Sequence, residues 1–284
     1  MAGFDWYQAT VRAPVDDVVE ALGDLADAWT LEHSRGMHGY AHSTALVGSD
    51  GPLARVWHGG SQEYPHVVLS GEEAQGGAEL IRARFPLHSV TRVDVREDFS
   101  DAGAFDRILP VMLAAAEAHR LKVDTRGDHL LTKQGRTVYL GASSSAVRER
   151  LYDKAAELRA KFAASPEKLA KVPEELVRLE AQVRPQTKES RAAFASIEPL
   201  AVMGSSAWLR DVWRGVVGLE LTPVQVGKAW RQSDDARAYA YLLAQYGGLL
   251  KRLRVDLGSW DCLGLQIGHD LAERDAAARK GRAE

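Results

Sequence analysis

Cysteine occurs once in 284 residues, at Cys262. One thiol cannot build an internal disulfide framework or a cysteine-rich zinc site, and it fits a reducing compartment. No run approaches the ~18 consecutive apolar residues of a membrane span. The segment MAGFDWYQAT has no basic start followed by an apolar core, so a secretion signal is not expected and the expected location is the cytoplasm. Positive charge is not in excess: 36 Lys+Arg stand against 39 Asp+Glu, a net −3. That excludes a uniformly basic nucleic-acid coat but leaves room for a local basic groove. There is no Gly-x4-Gly-Lys-Ser/Thr phosphate loop and no Gly-x-Gly-x-x-Gly after a strand. GASSS, residues 141–145, is not a nucleophile elbow, which wants glycine two residues after the serine. Nothing points to a nucleotide or flavin cofactor.

What is present is an ordinary globular composition, 45% hydrophobic and 26% charged, enough for one or two domains. The charge is unevenly spread. Residues 1–132 hold 11 Lys+Arg against 20 Asp+Glu, residues 133–193 hold 13 against 8, and residues 194–284 hold 12 against 11. Cations therefore gather mid-chain. Trp6 to Val11 alternates as a strand, and Pro14 opens a helix that runs to about Leu25. HGYAHSTALVG, LARVWHGG and YPHVVLSG read as successive strands ending in glycine turns. ELIRARF (79–85) and HSVTRVDVREDF (88–99) read as two more. Asp101 is placed to cap a helix over 104–121. HLLTKQGRTVYLG predicts a turn at Gln134-Gly135 between two strands, and VRERLYDKAAEL a strand running into a helix. Val177, Leu179, Ala181 and Val183 form a period-two row closed by Pro185, favouring a strand over 175–185. Helices are expected near 188–197, 205–217, 223–231, 235–254 and 257–278, with Leu242, Leu243, Leu249 and Leu250 as core. No internal repeat is visible. The expected class is α+β: a mainly antiparallel curved sheet with flanking helices over residues 1–186, then a helical subdomain over 187–284.

Four groupings carry possible chemistry. Asp94, Arg96 and Asp98 share one face of a strand, with Val93, Val95 and Glu97 on the other. Arg178, Glu180, Gln182 and Arg184 share a face opposite the apolar row. Each is either a solvated surface or the lining of a groove that takes phosphate on arginine and a cation on carboxylate, and spacing alone favours the solvated surface. Arg148, Arg150, Tyr152 and Lys154 also alternate onto one side, just after the hydroxyls of Ser143 to Ser145. A phenol is a poor nucleophile at its ordinary pKa near 10; nearby cations favour phenolate, and a structural tyrosine is the plain alternative. The histidines His38, His42, His58 and His66 sit in strand or loop context, where a spacing of four does not form a ligand pair. Trp57, Tyr40 and Tyr64 are aromatic groups able to stack on unpaired bases, with core packing the safer reading for each.

The order of these segments adds information. VTRVDVREDF, GRTVYLGASSSAVRERLYDKAAEL and VRLEAQVRP, taken in sequence, resemble the replication initiation factor family: rolling-circle initiators of filamentous phages and Gram-positive plasmids, with related conjugative-element relaxases. That family's R-x-D, T-x-Y-x-G-S, R-x-Y-D-K-x-x-E and R-x-E segments correspond to Arg92–Asp94, Thr137–Ser143, Arg150–Glu157 and Arg178–Glu180. FDWYQATV, the HGY at 38–40 and SSAWLRDVW add to the likeness, while GASSS stands where many relatives have a more basic G-S-R-K-S. The resemblance implies a site-specific DNA endonuclease and strand transferase that nicks an origin through a covalent 5′-phosphotyrosine. Tyr152 is the implied nucleophile, with Tyr139 second and Lys154 and Arg150 stabilising phosphate or phenolate. Mg²⁺ or Mn²⁺ is implied, on Asp94 and Glu180 with Asp98 and Glu157 behind them. Arg96, Ser143, Ser145, Arg148 and Arg178 are implied DNA contacts. The implied partners are single-stranded and origin duplex DNA, with host helicase and polymerase. A non-catalytic DNA-binding regulator and a conjugative relaxase are the alternatives. TPVQVGKAWRQ and the following helix read either as a helix-turn-helix, with Lys228, Arg231 and Arg237 on phosphates, or as packing and docking surface.

Overall fold

A computed structural model describes residues 2–49, 51–227 and 234–280. The chain opens with strand β1 (Gly3–Thr10), helix α1 (Val15–Gly23), four strands β2 (Thr30–Arg35), β3 (His42–Gly48), β4 (Gly51–His58) and β5 (His66–Ser70), and helix α2 (Glu73–Arg84). It then runs through β6 (Ser89–Phe99), α3 (Ala104–Ala118), β7 (Val123–Arg126), β8 (Thr137–Leu140) and β9 (Val147–Asp153). Next come the short helices α4 (Lys154–Lys161) and α5 (Pro166–Leu169), β10 (Val177–Val183) and α6 (Lys188–Ala193). The ten strands form one antiparallel, unclosed sheet in the order β2-β3-β4-β5-β1-β6-β10-β9-β8-β7. Each half follows one plan: a central strand, a helix, then four strands returning from the sheet's outer edge to pair with that central strand. β1 and β6 meet at the middle. No repeat is visible in the sequence because the plan is carried by topology, with different side chains in each half.

Alternation decides the two faces. Phe4, Tyr7, Val93, Val95, Leu151, Leu179 and Ala181 are buried on the face against which α1, α2, α3, α6 and the following helices α7 (Pro199–Val202) and α8 (Ala207–Val217) pack. The opposite face carries the alternating polar set and is not roofed by these helices. By contacts the chain forms two compact units, 1–228 and 229–284. Phe194, Val202, Leu209 and Trp213 join the sheet's core, so the contacts do not thin near residue 186. Unit two holds α9 (Asp234–Leu257) and α10 (Trp260–Lys280). No described helix is long and apolar enough to cross a membrane.

Five local expectations need correction. Residues 79–84 are not a strand but the end of helix α2: Ala74, Gly77, Ala78 and Ile81 recur at helical spacing and are buried. Gly77 lies where an added Cβ would be 2.6 Å from the Leu69 side chain, so this glycine admits α2 onto the sheet. Residues 129–131 form no strand; the Asp128 carboxylate accepts the backbone N–H groups of Leu130, Leu131 and Thr132, curling them into a turn with both leucines nearly fully exposed. The strand paired with β8 is β7 instead. Asp101 does not cap α3, which starts after Gly103 in the left-handed region, while the Asp101 carboxylate accepts from Arg107. Leu242, Leu243 and Leu249 are exposed rather than core, Leu250 is half-buried, and residues 222–227 are not helical. Lys228, Arg231 and the side chain of Arg237 lie outside what is described.

Candidate active site on the open face of the sheet

The strand register brings distant segments into rows. Tyr152 on β9 pairs with Arg178 on β10, which pairs with Asp98 on β6; the next row is Arg150, Glu180 and Arg96, and the next Arg148, Gln182 and Asp94. Directly opposed residues of a sheet point to the same side, so the R-x-D, R-x-Y-D-K and R-x-E segments share one face. Tyr139 on β8 opposes Arg150 and joins them. These side chains line a cleft of about 1170 Å³ that also takes in Lys154 and Glu157.

Tyr152 is almost wholly buried, at 4% exposure. Its hydroxyl donates to Glu180 Oε2 at 3.4 Å, and the Arg150 guanidinium lies over its ring, 4.0 Å from the centroid. Lys154 Nζ is 5.6 Å from the same ring and donates to Glu157 Oε1 at 2.6 Å. Burial first, then the neighbouring Glu180 charge, push the phenol well above its ordinary range; Arg150 and Arg178 oppose this and lose. The expected bias toward phenolate is therefore not met in this arrangement, because desolvation outweighs the cations. The strand ends at Asp153, whose carboxylate caps α4 by accepting from the Ala156 N–H at 2.9 Å.

The carboxylates divide into two kinds. Asp98 accepts a two-pronged bond from Arg178 (2.6 and 2.8 Å) and another from Arg96 (2.7 Å), which hold it below the usual carboxylate range against its burial. Arg178 also donates to Asp5 at 2.7 Å. Arg96 and Arg178, expected at DNA, are thus each held by carboxylates. Asp94 and Glu180 are the second kind. They are only 2% and 6% exposed, against a spacing-based preference for a solvated surface. Both are pushed upward, by burial first; the charges of Asp94 and Asp5 add to this at Glu180. Arg92 grips Asp94 through two bonds, Gln182 donates to it at 3.3 Å, and Arg150 donates to Glu180 at 2.7 Å. Among the described residues no three acidic, histidine or cysteine side chains converge as a ready-made metal cage. Two buried carboxylates are nonetheless a hard-oxygen pair of the kind that holds Mg²⁺ or Mn²⁺ when waters and a substrate phosphate complete the shell.

Positive charge crowds beside Asp94. Arg184 is pulled below its ordinary value by burial and then by the Arg92 and Arg148 charges. Arg148 lies 3.9 Å from the Tyr139 ring centroid, and its Nε is buried without a hydrogen-bond partner. Arg184 reaches the backbone carbonyls of Ser143 and Ser145, at 3.3 and 3.4 Å. The turn that holds no basic side chain of its own is therefore supplied with one from the end of β10.

Asp5 is the residue that alternation missed. Phe4 opposes Val95 and Trp6 opposes Asp94, leaving Asp5 as one extra residue in β1. The resulting bulge turns both Asp5 and Trp6 toward the cleft. Its trace in the sequence is the spacing of three, not two, between the buried Phe4 and Tyr7.

No family model matches this chain, and no curated protein does. Among solved structures it is similar to the rolling circle replication initiator protein from Geobacillus stearothermophilus, at 17% identity and a TM-score of 0.49, over 83% of this chain and 90% of that one. A likeness of that size does not say which residues act.

Proposed function

We propose that the protein nicks and rejoins single-stranded DNA at a replication origin, with Tyr152 as nucleophile. What carries the reading is convergence: segments some 90 residues apart in sequence, singled out by their order, have their charged and phenolic groups on one face of four adjacent strands.

In the proposed reaction the Tyr152 oxygen attacks a backbone phosphorus and the bond to the 3′ oxygen breaks. The 5′-phosphate is then esterified to tyrosine, and the proton given up by the phenol is passed on to the departing 3′ oxygen, which leaves as a hydroxyl. Rejoining is the reverse. The neutral phenol must give up its proton as it attacks, and Glu180 Oε2 is the acceptor in reach. Arg150 and Lys154, beside the Tyr152 ring, would stabilise charge developing on the phosphate, and Arg178 is held by Asp5 and Asp98. Asp94 and Glu180 would hold a divalent cation, which when bound would polarise the scissile phosphate. The local excess of arginine, not the net charge, would supply DNA affinity, so binding should fall steeply with salt.

The test is a covalent-adduct assay with single-stranded oligonucleotides tiled across the origin, with Mn²⁺ or EDTA, on a denaturing gel. A metal-dependent shifted band that Tyr152→Phe abolishes is expected. A band that survives in Tyr152→Phe moves the nucleophile to Tyr139. DNA binding with no adduct on any oligonucleotide replaces the enzyme by a DNA-binding regulator.

A further inference from the structure

The open face continues past the candidate active site into the other half of the sheet, where its character changes. Arg92 opposes Gln8, which opposes Val68, which opposes Arg55; the adjacent row is Thr10, His66, Trp57 and Ser43. On that second row stands an aromatic cluster. Trp57 and His66 are stacked, with ring centroids 5.6 Å apart and planes 16° from parallel. His38 and Tyr40 close on Trp57 at 5.5 and 6.4 Å, and Tyr40 also meets His66 at 6.1 Å. Trp57 and Tyr40 are half-buried, His38 is exposed and His66 is buried, so the cluster reaches the surface through the first three.

The cluster is held in place by backbone. Residues 36–41 and 59–61 pack main chain to main chain, through Ala41 N–H to Gly59 O and Ser61 N–H to Gly39 O. A Cβ at Gly60 would stand 2.4 Å from the Gly39 carbonyl oxygen, and Gly60 has a φ of 78°. His38 is itself left-handed, at φ 55°, a conformation that non-glycine residues adopt at a cost. The loop is thus committed to presenting His38 and Tyr40 beside Trp57. Burial lowers His66 to about 4, so the ring stacked on Trp57 is neutral at physiological pH.

We infer that this cluster is a second, non-catalytic subsite that stacks unpaired bases of the DNA strand whose phosphates cross the Arg92, Arg148 and Arg184 cluster. Cations spaced along a polyanion and flat rings beside them are the two features that sequence-tolerant single-strand binding requires. Trp57 sits five strand spacings from Tyr152 in the sheet order, roughly 24 Å across the strands. A strand engaged at both places is held well away from the bond being cut. The inference rests on the nicking reading above.

The test measures the affinity of the full chain for a fluorescently labelled 20-mer of deoxythymidine by anisotropy, beside adduct formation by the wild-type protein on origin oligonucleotides. Trp57→Leu is expected to raise Kd by about fivefold or more, the loss of at least one stacked base. Trp57→Phe should stay within about twofold, because a flat ring remains. Tyr40→Leu, in a loop, should weaken binding independently and guards against a folding defect at Trp57. Wild-type affinity in both leucine variants overturns the subsite while adduct formation leaves the nicking reading standing. A wild-type protein that binds no single strand and forms no adduct overturns both.

Discussion

Glu149 is a fully buried carboxyl on the helix-covered side of β9. One oxygen accepts from Trp213 Nε1 at 2.9 Å and the other has no hydrogen-bond partner. Burial pushes it from 4.5 to about 8, with the Trp213 bond only partly opposing the shift. The folded state therefore holds it protonated near neutrality, whereas the unfolded chain ionises it from about pH 4.5. A raised folded value means that the group's contribution is fully present below pH 4.5. It is lost progressively up to about pH 8 and is flat above. At ~1.4 kcal/mol per pH unit, the protein should lose on the order of 3–4 kcal/mol between pH 5 and 8 from this group alone. Urea denaturation at pH 5, 6, 7 and 8, followed by tryptophan fluorescence, measures the slope. Other groups titrate in the same window, so the diagnostic quantity is the difference between wild type and Glu149→Gln. The variant is isosteric and cannot ionise, so it should be distinctly flatter and overtake wild type at high pH. Equal slopes in the two proteins would refute the reasoning.

Trp213→Phe removes the hydrogen-bond donor to Glu149 and should cost ~1–3 kcal/mol in the same denaturation experiment, and much less when combined with Glu149→Leu. Gly77→Ala should destabilise by ~1–2 kcal/mol despite the better helix propensity of alanine, because the new Cβ meets Leu69; a raised Tm would contradict this. Asp5→Asn takes a charge from Arg178 and Arg96, leaving Asp98 as their shared partner. It should cost ~1–2 kcal/mol and lower adduct yield in the gel assay. Wild-type yield would show that the bulged aspartate does not help to set the cleft.

The alternation of apolar and polar residues in 88–99, 147–153 and 177–183 was enough to identify β6, β9 and β10 and to say which residues share a face, because a strand's period of two is a local property. The α+β class was legible on the same grounds. Whether a polar face is wet or enclosed is not local. Asp94 and Glu180 are buried because β6 and β10 lie side by side in the middle of a ten-stranded sheet, a pairing between segments some 90 residues apart. Residues 79–85 read as a strand because nothing in their own segment shows the Leu69 side chain that Gly77 accommodates. Asp5 reached the cleft through a one-residue mismatch between two strands, a property of the pair and not of either sequence. Sequence alone could put Tyr152 on one strand face with cations beside it. The tertiary structure decided that desolvation, which depends on everything packed around the ring, outweighs them and keeps the phenol protonated.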